Sequence, residues 1–151
     1  HRSLPNGGTA NVKAALTELI RDWHGEGITN YMCGMALGFD LMAAECVLQA
    51  KADFNDITLT AVIPFRDQCE MWNWNDRQRY HAILQQADFH ILLSEVYYKG
   101  CLLVRNDFML KHASRIVAYY DGRRRGGTYY TCNKAGVMNI PVLNLYDHLS
   151  R

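Results

Sequence analysis

The 151-residue sequence has no CxxC pair, no HExxH motif, no excess of either charge and no long apolar run, and each absence closes a class of function. Its five cysteines, Cys33, Cys46, Cys69, Cys101 and Cys132, are odd in number and widely spread, which argues against a disulfide framework and a zinc site. A reducing cytoplasm suits such a chain, and neither a structural metal nor a cofactor is expected. No apolar stretch approaches the roughly eighteen residues that a bilayer-spanning helix requires. A formal net charge of +1 supplies no global basic field of the kind that drives non-specific nucleic-acid binding, so only Arg123-Arg124-Arg125 is locally basic. Internal repeats, low-complexity linkers, a signal-peptide pattern and an initiating methionine are lacking as well.

What is present suits one globular domain over residues 1–151: 49% hydrophobic and 21% charged residues are enough for a sizeable core. Val12, Ala15, Leu16, Leu19, Ile20 and Trp23 share one face of a helix from about 9 to 23, which Gly25 and Gly27 end. A short strand follows at 28–32, then a helix over 40–52 with Asp40 near its cap, and a strand over 57–63 that Pro64 stops. The remaining pattern gives a helix over 68–87, a strand at 89–93, a helix over 101–112, a strand at 115–120, a helix over 128–138 and a strand at 142–145. Short buried strands alternating with helices predict an α/β fold with a mostly parallel sheet, helices on both faces and right-handed crossovers.

In open sheets of this kind ligands bind beyond the carboxyl ends of the strands. The unusual punctuation of the sequence falls there: Gly34 to Asp40 after one strand, Pro64-Phe65 after the next, Ser94-Glu95 after the third, and Asp121-Gly122 after the fourth. The last is followed by Gly126-Gly127-Thr128 at a helix start, where side-chain-free backbone, a hydroxyl and unpaired amides can receive an anion. A glycine-rich start that only turns the chain is the alternative. Phe65, one of Trp72 and Trp74, which at i and i+2 on a helix do not share a face, and Tyr129 and Tyr130 offer rings for stacking on a base, Phe65 being best placed, although packing is the alternative for Trp72 and the tyrosines. Asp88, between a helix and a strand, reads as structural.

Together His1-Arg2, the Gly34-Met35-Ala36-Leu37-Gly38-Phe39-Asp40 turn, Ile63-Pro64-Phe65, Arg105-Asn106, and Asp121-Gly122 with Gly126-Gly127-Thr128 resemble the YpsA-like group of the SLOG superfamily over essentially the whole chain. The superfamily includes the LOG phosphoribohydrolases and the DNA-processing protein DprA. The resemblance implies a Rossmann-like three-layer sandwich whose first strand precedes His1. It also implies a small phosphorylated nucleoside ligand, with Arg2, Gly34, Gly38, Asp40, Phe65, Arg105, Asn106, Asp121, Gly126, Gly127 and Thr128 as its binding residues. A homodimer follows only by analogy with LOG.

Leu102 to Met109 is similar to the LOG helix motif Met-x-x-Arg-Lys-x-x-Met, with Arg105 in the place of the arginine, a candidate catalytic group, and Asn106 in the place of the lysine. A guanidinium there can hold phosphate or ribose oxygens by paired hydrogen bonds; a salt bridge to Asp107 is the structural alternative. LOG enzymes read Pro-Gly-Gly-x-Gly-Thr-x-x-Glu, and here Thr131 stands at the glutamate position. A neutral hydroxyl neither stabilises an oxocarbenium-like sugar nor activates water. The expectation is therefore a nucleotide-binding module for a nucleotide or an NAD-derived ligand such as ADP-ribose. The alternatives are an N-glycosidic hydrolase using Asp40, Glu45, Glu95 or Asp121 instead, and a DprA-like binder of single-stranded DNA.

Overall fold

A computed structural model describes residues 8–122 and 124–149. The fold divides between Tyr97 and Tyr98 into two compact units, each an arrangement of parallel strands and helices.

In the first unit α1 (Gly8–Gly25) buries Val12, Leu16, Ile20 and Trp23, the face expected from their spacing. Its end is closed by two backbone bonds, Gly27 N–H to His24 C=O at 3.0 Å and Ile28 N–H to Trp23 C=O at 2.9 Å, the pair that satisfies the last carbonyls of a helix. The strands β1 (Asn30–Cys33), β2 (Thr58–Ile63) and β3 (Phe89–Leu92) form one parallel sheet with β2 in the centre. Asn30 lies opposite Thr58, and Thr60 opposite Phe89. Central position explains the composition of β2, whose Leu59, Ala61, Val62 and Ile63 are all buried. The crossover helix α2 (Phe39–Ala50) packs Leu41, Met42, Ala44, Cys46 and Val47 inward and lies against β1, β2 and α1.

The helix expected over 68–87 is shorter than its pattern. Only α3 (Trp74–Gln86) is helical, and Pro64 to Asn73 instead runs through successive turns, with Gln68, Glu70 and Trp72 amides bonded three residues back. Asn73 sets the boundary. Its side-chain oxygen accepts from Asp76 N–H and its amide donates to the Asp76 carboxylate, both at 2.9 Å, so the chain enters the helix there in an extended conformation. Trp72 consequently precedes the helix, and its ring meets the buried Tyr80 edge-on at 5.4 Å; the exposed Trp74 opens the helix. At the amino end of β2, Asp88 accepts from Lys51 Nζ at 2.6 Å and from Leu59 N–H at 2.8 Å.

The second unit comprises α4 (Cys101–His112), β4 (Ile116–Ala118), α5 (Gly126–Val137), β5 (Val142–Asn144) and α6 (Leu145–Leu149), with β4 and β5 parallel and Ile116 opposite Val142. The last strand, expected at 142–145, ends at Asn144, and the short helix α6, not expected, follows at once. Asn144 explains the change: its side-chain oxygen accepts from Tyr120 and Tyr146 amides while its Nδ2 donates to Tyr120 C=O at 2.7 Å, so one residue extends the ladder and starts the helix.

Tyr80 is 1% exposed and its hydroxyl has no hydrogen-bond partner, so burial pushes its ionisation upward and leaves a polar atom uncompensated. Tyr80→Phe is expected to leave stability unchanged or raise it by up to about 1 kcal/mol, whereas Tyr80→Ala costs about 3–5 kcal/mol through the cavity it opens. Urea unfolding of the two variants separates the hydroxyl from the ring.

Candidate functional site

The first unit places its three strand ends on one edge, as parallel pairing requires, and the loops beyond them are joined to one another. After β1 the chain leaves at Cys33, whose thiol sulfur accepts from Met35 N–H and donates to Asp40 C=O, both at 3.3 Å. Met35 turns back into the core with a φ of 61° and no exposure, a left-handed conformation that a non-glycine residue holds only under packing constraint. Gly38 then caps α2 at a φ of 84° and a ψ of −120°, which a side chain strongly disfavours. Asp40, expected near a helix cap, lies in the first turn of α2 and accepts from Ala36 N–H at 3.2 Å, closing the loop across the helix start.

The loop after β2 meets this one through Gln68, whose Nε2 donates to Gly34 C=O at 3.5 Å. Phe65 is half-buried and packs edge-on against Tyr97 at 5.3 Å, and Arg66 holds Glu95 by two hydrogen bonds of 2.6 and 2.7 Å. That arginine keeps the Glu95 carboxyl below its ordinary range, the opposite of what a general base needs. Glu45 is likewise held by Arg79, at 2.6 and 3.2 Å. Two of the alternative carboxylates are thus spoken for by ion pairs.

In the second unit Arg105 and Asn106 are 6% and 7% exposed, the only buried charged or amide side chains among the described residues. A guanidinium rarely tolerates such burial without partners. Arg105 Nε donates to Asn106 Oδ1 at 3.0 Å. The other end of the amide faces α5: a Cβ built on Gly127 would lie 3.4 Å from Asn106 Nδ2. The glycines expected to precede the helix are its first residues, Gly126 with a φ of 89° and Gly127 without a positive φ. No side chain caps α5, and Gly126 and Gly127 are exposed, with Thr128 half-buried behind them. The first-turn amides and the positive end of the helix dipole therefore face outward beside the Asn106 amide.

Asp121 is half-buried three residues beyond β4, and Tyr120 and Tyr129 bring their rings to 6.5 Å. Asp107, the alternative partner for Arg105, accepts from Lys134 Nζ at 2.7 Å and Tyr130 hydroxyl at 2.9 Å. This three-residue cluster was not anticipated from the sequence; the i, i+4 spacing of Tyr130 and Lys134 on α5 is the signal that would have found it. Gly34, Gly38, Asp40 and Phe65 lie on the first unit's strand-end loops, and Arg105, Asn106, Gly126, Gly127 and Thr128 come together in the second. Arg2, with His1, lies outside the described residues, as does Arg123 of the basic triplet. The described residues contain no group of three or more His, Cys, Asp or Glu side chains placed to hold a metal, and no helix among them is long and apolar enough to cross a membrane.

Parallel strands joined by crossover helices, with glycine-bearing loops at their carboxyl ends, define a Rossmann-like α/β protein. A family model, YpsA (the YspA SLOG family), matches residues 6–139, and the chain belongs to that family. Among relatives, a UPF0398 protein of Halalkalibacterium halodurans is 29% identical over 82% of this chain, and UPF0398 proteins of Staphylococcus epidermidis and Levilactobacillus brevis are each 31% identical over 79%. The matches cover 66%, 64% and 64% of those relatives, so the chain spans slightly less than two thirds of their length.

Two outcomes follow from the geometry. Gly38→Ala is expected to destabilise the protein by about 1–3 kcal/mol, from backbone strain alone, since a methyl group there meets nothing within 4 Å; thermal unfolding checks it. The Lys134 hydrogen bond, helped by Tyr130, holds the Asp107 carboxyl below the usual carboxylate range. Because its folded pKa lies below the unfolded one, its contribution is in place above about pH 4 and fades as the pH falls through the folded value. Urea midpoints measured from pH 6 to pH 3 should therefore fall less steeply for Asp107→Asn than for the unaltered protein.

Proposed function

We propose that this protein is a nucleotide-binding module, taking a nucleotide or an NAD-derived ligand such as ADP-ribose with a phosphate on the Gly126-Gly127-Thr128 turn. The observation that carries the reading is the buried Arg105–Asn106 pair against Gly127 at the uncapped start of α5. A guanidinium and a helix amino terminus are both positive, and the α4–α5 packing that keeps the pair close to the turn favours an anion there. Membership of a SLOG family supports a nucleotide-related ligand over other anions. Asp121 is proposed to face the ribose, and Gly34, Gly38, Asp40 and Phe65 are proposed as ligand-facing positions of the first unit's edge; Arg2 joins them from sequence alone.

Binding is favoured over hydrolysis of the N-glycosidic bond. Thr131 occupies the position at which LOG enzymes carry their glutamate, and Glu45 and Glu95 are engaged by arginines. Nucleic acid is disfavoured by a formal net charge of +1.

The test is a thermal-shift series at fixed ionic strength with AMP, ADP, ADP-ribose, cyclic ADP-ribose, NAD and a short single-stranded DNA. A site filled at 100 times its dissociation constant adds about 2.7 kcal/mol, or roughly 2–8 °C for a domain of this size. A shift with one or more nucleotides is expected, and Gly127→Asp should abolish it while preserving the unliganded melting temperature, since Gly127 has no positive φ. A response to DNA alone, or to none of these, overturns the reading.

A further inference from the structure

We infer that Asn106, rather than Arg105, is the side chain that reads the ligand's phosphate, and that Arg105 is a positioning residue acting through it; this rests on the nucleotide-binding reading above. The argument begins with what a guanidinium can do. Arginine has only N–H donors, so the amide group it binds must present its oxygen. Arg105 Nε at 3.0 Å from Asn106 Oδ1 therefore fixes which way the Asn106 amide points. Its Nδ2 is then directed away from Arg105 and lies 3.4 Å from the space that a side chain at residue 127 would fill. Asn106 is 7% exposed, and its Nδ2 donates to no described residue.

An amide donor with no protein acceptor can take one from a ligand, and this one faces the start of a twelve-residue helix whose N-cap residue, Arg125, makes no side-chain capping bond. Both features ask for the same thing: an acceptor oxygen outside Gly127. A phosphate oxygen can accept from the α5 amides and from Asn106 Nδ2 together. The missing side chain at Gly127 leaves room for it. Where the LOG motif has a lysine, which only donates, Asn106 accepts from Arg105 on one side and has a donor left on the other.

The test measures dissociation constants for AMP, ADP-ribose and adenosine by calorimetry, in the unaltered protein, Asn106→Asp, Arg105→Lys, the double variant and Gly127→Ala. Asn106→Asp keeps the size and the acceptor facing Arg105 but turns an oxygen toward the phosphate. Its preference for the phosphorylated ligands over adenosine should fall by at least about tenfold, a selectivity that a merely structural role would not alter. Arg105→Lys should lower the same preference, because the amide is no longer held, yet add nothing in the Asn106→Asp background. If Arg105→Lys weakens phosphate binding equally in both backgrounds, Arg105 touches the ligand itself and the inference is overturned. An Asn106→Asp protein with undiminished preference overturns it too. Should the substitutions within α4 prevent folding, Gly127→Ala places a methyl group 3.4 Å from Nδ2 on a permissive backbone; it must weaken AMP and spare adenosine, and equal effects on both reject the inference. Failure of the unaltered protein to bind any nucleotide is a different result, and it removes the parent reading as well.

Discussion

The buried hydrogen bond from Arg105 to Asn106 is the constraint around which the second unit is arranged. Burying a guanidinium is costly, and one acceptor that α4 gives it is the neighbouring residue on the same helix. That choice spends the amide's oxygen and leaves its nitrogen facing α5. Residue 127 carries no side chain where the amide nitrogen faces it, and a methyl group there would just touch Nδ2 at 3.4 Å. Gly126, at a φ of 89°, turns the chain into the helix immediately before. Farther along, Asp107 fastens the same two helices through Tyr130 and Lys134. The glycine turn thus lies exposed beside the buried pair.

Much of the fold was legible because its signals are local. The apolar run of β2, the stripe of α1 and the helix from Cys101 to His112 follow directly from composition and period. The misreadings share a cause. Asn73 and Asn144 each use a short amide side chain to bond backbone groups, one delaying α3 and the other ending β5 in favour of α6. Hydrophobic period carries no trace of such bonds. For the candidate site, the glycines, Arg105 and Asn106 were visible as punctuation and as a resemblance. The direction of the Arg105–Asn106 bond and the thiol bridge at Cys33 were not, since both depend on where neighbouring side chains point.

Family membership and geometry bear on different questions. The YpsA match covers residues 6–139 and fixes ancestry, and the relatives carry the UPF0398 designation. The departure at Thr131 and the engaged carboxylates come from this chain alone. They mark where its residues depart from the LOG glutamate motif.

The two ends of the first unit's sheet are fastened by different sets of bonds. At the amino end, Asp88 joins Lys51 and the Leu59 amide through charged contacts of 2.6–2.8 Å. At the carboxyl end the described contacts are mixed: thiol bonds at 3.3 Å and an amide contact at 3.5 Å stand beside the Ala36 amide on the Asp40 carboxylate at 3.2 Å and the Arg66–Glu95 pair at 2.6 and 2.7 Å. Charge-assisted bonds are roughly twice as strong as neutral ones, and sulfur is a weak partner. Local opening follows such differences. The amide proton of Met35, held by sulfur, should accordingly exchange with deuterated solvent well before that of Leu59, held by the Asp88 carboxylate.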